Sequence, residues 1–168
     1  MKRTLGLTAA LVVALAISGY AQKKADFSGT WAIDQTATDA ANPAPATAPA
    51  AGAGGGGGGM GGGRGGGGPI TIKQTADALT IERQGRNGVQ TTTYKLDGTE
   101  QEIAMGQVTI KAKAKWDGDT IVDETVRPGQ DGTPMTSTMT YMLDKDGNLW
   151  TENKTANGTR KIAYKKST

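Results

Sequence analysis

Cysteine and histidine are both absent from the 168 residues. Without cysteine there is no disulfide and no thiol for the lipid attachment that anchors bacterial lipoproteins. Without histidine there is no Ser-His-Asp triad, no Cys-His dyad and no Cys/His zinc site. Aromatic residues are scarce, with one Phe, three Trp and four Tyr, so each one weighs heavily in a small core. Neither sign of charge dominates, with 19 basic and 16 acidic residues. That balance gives no argument for a nucleic-acid partner. One apolar run stands out, Leu5 to Ile17, and it is shorter than the roughly 20 residues a membrane-spanning helix needs.

What is present begins with an export signal. Met1-Lys2-Arg3 is basic, the apolar run follows, and Ser18-Gly19-Tyr20-Ala21 places small residues at −3 and −1 of a cut after Ala21. Residues 1–21 are therefore expected to be a signal peptide, with the product in the periplasm or outside the cell and with no membrane anchor after cleavage. Loss of Lys2 and Arg3 leaves 17 basic against 16 acidic residues, a net charge near +1.

Residues 22–168 are expected to form one domain, interrupted by a low-complexity segment over 38–69. Asp26 to Asp34 places Phe27, Gly29, Trp31 and Ile33 on one face of a first strand. An Ala/Pro stretch and a nearly pure glycine run then fill Ala41 to Gly68. Such a stretch buries too little apolar surface to offset chain entropy, so it is expected to be disordered. Loop-closure entropy grows only slowly with length, so a domain can tolerate it.

From Ile70 onward the pattern is β. The spacing predicts strands at Ile70–Gln74, Ala78–Gln84, Gln90–Leu96, Gln101–Met105, Gln107–Trp116, Thr120–Arg127, Met135–Leu143, Leu149–Lys154 and Thr159–Lys165. Between them lie Asn87-Gly88, Asp97-Gly98, Asp117-Gly118, Asp131-Gly132, Asp146-Gly147 and Asn157-Gly158, all turn dipeptides. No crossover helix is visible, so the strands should run up and down. Closing the meander removes its edges. The expected fold class is all-β: a small antiparallel up-and-down β-barrel of about eight to ten strands, with the Gly/Pro-rich insertion after the first.

The faces follow from the alternation. Val108, Ile110, Ala112, Ala114 and Trp116 share one side of a strand, and Lys111, Lys113 and Lys115 the other. A three-residue loop at Asp117-Gly118 would pair Lys115 with Asp119 and put Val122, Glu124 and Val126 inside. A two-residue loop would put Asp123 inside and Val122 outside. The first register buries more apolar surface and pairs opposite charges, so it is the expected one. It makes Glu124 an inward carboxylate that needs a partner such as Arg160 or Arg83. Asp144-Lys145-Asp146-Gly147-Asn148 reads as a hairpin turn, because its glycine and Glu152 sit at the wrong offsets for a calcium loop.

Gly29-Thr30-Trp31 on a first strand, followed by an antiparallel meander, resembles the Gly-x-Trp opening of lipocalins and related calycin barrels, which is found in exported bacterial lipocalin-like proteins. The resemblance implies that Gly29 and Trp31 are structural and that Trp31 packs near an Arg of the last strand, here Arg160. It also implies a small apolar or amphipathic ligand in the barrel. Candidate ligand contacts are Glu124, Arg160, Tyr141, Tyr164 and Arg83. No cofactor, metal or catalytic constellation is expected. The alternatives to a ligand-binding barrel are a structural or interaction module of the cell envelope, with the Gly-rich loop as spacer, and an enzyme using carboxylate, Tyr, Lys or Ser/Thr chemistry. The sequence leaves the oligomeric state open. N-terminal sequencing of exported material is expected to begin at Gln22; an intact Met1 in the envelope fraction would exclude cleavage after Ala21.

Overall fold

A computed structural model describes residues 24–43, 68–85, 88–105, 108–129 and 131–167. The expected signal peptide and most of the expected disordered segment lie outside the described residues. Ten strands form one antiparallel sheet: β1 (Gly29–Ile33), β2 (Ile70–Gln74), β3 (Ala78–Gly85), β4 (Gly88–Lys95), β5 (Gln101–Met105), β6 (Val108–Asp117), β7 (Thr120–Pro128), β8 (Pro134–Leu143), β9 (Leu149–Thr155) and β10 (Gly158–Lys166). Their order is β4-β3-β2-β1-β10-β9-β8-β7-β6-β5.

The first and last strands are neighbours, with Trp31 opposite Lys166 and Ile33 opposite Tyr164. The sheet curls until its two edge strands, β4 and β5, approach each other. An isolated bridge between Asp97 and Lys115 and a hydrogen bond from the Lys95 amide to Gln101 Oε1, 3.3 Å, span that seam. The result is a nearly closed up-and-down barrel. Each of the six turn dipeptides supplies a glycine with positive φ, from Gly88 to Gly158, a conformation that side chains with a Cβ resist.

One register differs from expectation. Asp117 pairs with Thr120 and Ala114 with Asp123, so the β6–β7 loop is the two residues Gly118 and Asp119. Gly118, at φ +59°, is the first of the two loop residues, which a type II′ hairpin turn reserves for glycine. Its twist matches that of the flanking strands, and this outweighs the apolar gain of the other register. A one-residue change in pairing turns every side chain of β7 over. Glu124 is consequently exposed on the outer wall opposite Lys113, not inside the barrel, and Asp123 is buried in its place.

A helix not expected from the sequence, α1 (Gln35–Ala41), follows β1 and takes in residues 38–41 of the expected low-complexity segment. Asp34 caps it, accepting from the Ala37 amide at 3.1 Å. The helix completes the barrel wall where β1 ends short of β10. Thr38 Oγ1 accepts from the Ala163 amide at 3.0 Å. Asn42 accepts from the Lys161 amide at 2.9 Å and donates to the Lys161 carbonyl at 2.7 Å. Two side chains thus serve backbone groups that a longer β1 would have paired.

The core fills one half of the barrel. Phe27, Trp31, Ile72, Leu79, Ile121, Tyr141, Leu149 and Tyr164 are buried together there. Phe27 stacks on Trp116 with ring centroids 6.0 Å apart. Trp31 donates its indole N–H to the Phe27 carbonyl at 2.9 Å. The cation over the Trp31 ring is Lys166, 5.5 Å from its centroid, and not Arg160, which lies six residues away along β10. At the other end the inward positions Met105, Val108 and Met135 are exposed, and they form the rim of a mouth. Trp31→Ala is expected to cost about 3–5 kcal/mol in urea denaturation. Thr38→Val, which strands the Ala163 amide, is expected to cost about 1–3 kcal/mol. An unchanged midpoint in either variant would place that side chain outside the cooperative fold.

Candidate functional site

Above the apolar half, the inner wall becomes polar and its side chains become small. Cross-strand pairs align Ala114, Asp123, Met139, Asn153 and Arg160 in one row over β6, β7, β8, β9 and β10. The row above runs through Ala112, Thr125, Ser137 and Thr155. On the facing wall β3 and β4 present Arg83, Thr92 and Tyr94. Leu79, Ile81 and Arg83 alternate inward along β3, and Tyr94 closes the level below Thr92.

Asp123 is the centre of this band, with only 2% of its surface exposed. Thr125 Oγ1 donates to Oδ2 at 3.1 Å. Oδ1 is buried without a hydrogen-bond partner, and so is Asn153 Oδ1. The Tyr94 phenol faces the same carboxylate, outside regular hydrogen-bond geometry. Among the described residues no Lys or Arg forms an ion pair with Asp123. Burial therefore prevails over the Thr125 hydroxyl and the Tyr94 phenol, and the Asp123 carboxyl is pushed up to about 6.

Three phenols surround the band. Tyr94 is raised by burial and by the Asp123 charge, and Arg83 works against that shift. Tyr141, fully enclosed, is raised by burial with Tyr94, Asp123 and Tyr164 adding to it. Tyr164 is raised by burial, against the pull of Arg83 and Arg160. The phenols stay protonated.

Of the residues singled out from the sequence, Arg83, Tyr141 and Tyr164 come together in the interior. Arg160 reaches the same space from the mouth end of β10, exposed and opposite Asn153. Glu124 does not join them. From the sequence, Asp123 was the inward residue of the register set aside, Tyr94 only a filler of a solid core, and Asn153 was not singled out. The signal for Asp123 was the two-residue loop at Gly118, and no local pattern marked the other two.

A concavity of about 460 Å³ lies on the outer wall between Ala41, Met142, Asp144, Trp150, Glu152 and Lys161. Its polar groups are already engaged. Burial opposes ionisation of Asp144, but hydrogen bonds from Asn148, Trp150 and the Asp146 amide hold its carboxyl down to about 2. Lys161 pairs with Glu152 at 2.9 Å. The interior band, with unmet acceptors, has the stronger chemical claim. Among the described residues no three acidic side chains converge on a metal position.

No protein-family model matches the chain, and no curated protein matches it. Solved structures do. Secretory abundant heat soluble protein 4 from Ramazzottius varieornatus is 20% identical over 60% of this chain and 69% of its own, with a TM-score of 0.48. Lipid binding protein 8 of Caenorhabditis elegans is 11% identical over 59% and 70%, at 0.49. The fatty-acid-binding protein from Manduca sexta is 21% identical over 58% and 71%, at 0.42. The barrel assignment itself rests on the strand ladder described above.

The Asp123 environment sets a pH dependence. The groups facing it are the Tyr94 and Tyr141 phenols and, through its own strand, Glu124. A carboxyl raised in the native state holds its proton more tightly than in the unfolded chain. Stability therefore falls as pH rises from about 4 to about 6, and stays lower above that. Asp123→Asn is expected to raise stability at pH 7 by up to about 3 kcal/mol and to give no gain below about pH 4. Chemical denaturation at both pH values checks it; an equal effect at both would exclude a buried, raised carboxyl.

Proposed function

We propose that the protein is an exported, non-catalytic binding module whose barrel interior holds a small apolar or amphipathic molecule. Export is supported by Met1-Lys2-Arg3, the Leu5–Ile17 run and the small residues before Gln22. Binding is supported by one observation above all: the inner wall of a ten-stranded barrel carries small side chains at Thr92, Ala112, Ala114, Thr125 and Ser137. About eight strands already leave room for side chains to fill the barrel or for one small ligand. Ten strands with small inward residues leave more. Apolar walls with a few convergent polar groups are the usual make-up of a small-molecule site.

The competing reading is an interaction module of the cell envelope with the Gly-rich segment as spacer. The solid packing around Trp31, Tyr141 and Tyr164 favours it, because that half is built for stability alone. Binding of the neutral fluorophore N-phenyl-1-naphthylamine separates the two. The carrier reading expects saturable binding at one site, lost in Ala114→Phe while thermal unfolding stays cooperative. It also expects a small molecule to accompany the protein in native mass spectrometry when it is purified from its own host. Absence of both would favour the interaction module.

A further inference from the structure

The polar groups inside the barrel are unevenly divided by sign. Arg83 acts on Tyr94, Tyr141 and Tyr164, and it is not among the groups that bear on Asp123. Around Asp123 two acceptors are unmet, and the unmet donor among the buried side chains described, the Trp116 indole N–H, sits one inward level away on β6. Asp123 Oδ1 and Asn153 Oδ1 are both buried without partners. They flank Met139 of β8 at the same register level, one strand to either side on β7 and β9, so their backbones lie about 10 Å apart and both side chains face inward. A buried carboxylate without a cation is an expensive thing to keep. Thr125 serves the other carboxylate oxygen, but the cross-strand neighbours Ala114 and Met139 bring no charge, and the nearest cation on β6, Lys113, is on the outer wall.

We propose that Asp123 and Asn153 form a head-group subsite that accepts hydrogen bonds from an ammonium, so that the barrel selects cationic amphiphiles such as long-chain amines. This rests on the reading of the interior as a ligand chamber. An ammonium carries up to three donors and no acceptor, which suits the two unmet acceptors Asp123 Oδ1 and Asn153 Oδ1. Its charge compensates Asp123, and a charge-assisted bond is roughly twice as strong as a neutral one. A ligand carboxylate at the same level would meet Asp123 as a like charge. The apolar chain would then lie toward the mouth, along Ala112, Met135 and Val108 on the inner wall.

The test is displacement of N-phenyl-1-naphthylamine from the whole mature protein at neutral pH by dodecylamine, dodecanol and dodecanoate, each below its micelle concentration. The amine is expected to displace the probe at about tenfold lower concentration than the alcohol, a difference of roughly 1.4 kcal/mol, with dodecanoate the weakest. Asp123→Asn should bring amine and alcohol within about threefold of each other, each referred to the probe affinity measured in that variant. Asn153→Leu should weaken the amine by a smaller factor. Dodecanoate binding as well as the amine, or a preference unchanged in Asp123→Asn, would overturn the subsite while leaving the chamber intact. Failure of the probe to bind at all would overturn the chamber and the subsite with it.

Discussion

Two residues, Gly118 and Asp119, join β6 to β7, and the alternation of a strand leaves little freedom after that. Asp117 meets Thr120, Ala114 meets Asp123, and the whole inner face of β7 is set as Ile121, Asp123 and Thr125. Because β8 and β9 take their register in turn from β7, the same turn brings Met139 and Asn153 to the level of Asp123. A loop longer by one residue would fill the interior with Val122 and Val126 and send Asp123 to solvent. The barrel would then carry two more inward valines, and Glu124 would replace Asp123 as its inward acid.

The buried Asp123 is tolerable because the other half of the barrel is densely packed. Phe27, Trp31, Trp116, Tyr141 and Tyr164 bring most of the chain's few aromatic rings to one cluster and its edge. Large aromatics contribute the most buried area per residue. Net stabilities of domains are small differences between large terms, so a destabilising carboxyl at one end needs surplus packing at the other. Proteins that violate a folding rule locally tend to do so where function resides, and a buried, unpaired carboxyl is such a violation.

Closure places a second demand on the chain. β1 is five residues and β10 is nine, so part of the β10 edge would face outward unpaired. Helix α1 answers this with Thr38 and Asn42, which reproduce strand-like hydrogen bonds to Ala163 and Lys161. Lys165 fastens the start of the same helix, 2.7 Å from Asp34, although an exposed pair of this kind adds little to stability. The insertion between β1 and β2 thus begins with a structural element.

The sequence alone determined the strands. Period-two alternation and six Asn-Gly or Asp-Gly turns fixed Ile70–Gln74 and Gln101–Met105 at their observed bounds and the others to within about two residues. It also determined that Trp31 and Tyr164 belong to one core on adjoining strands, because an up-and-down meander closes only by joining its ends. Helix α1 was not legible, since Gln35–Ala41 has no apolar face and is held by a cap and by contacts with β10. The faces of β7 were decided by tertiary structure. Local charge pairing of Lys111 and Lys115 favoured one register, and turn twist favoured the other by an amount no pattern of residues displays. The site followed the same course: Arg83, Tyr141 and Tyr164 were legible as inward positions on their strands. Asp123, Tyr94 and Asn153 became a group only when the sheet curled and brought β4 across from β7 and β9, a distance set by closure and not by spacing along the chain.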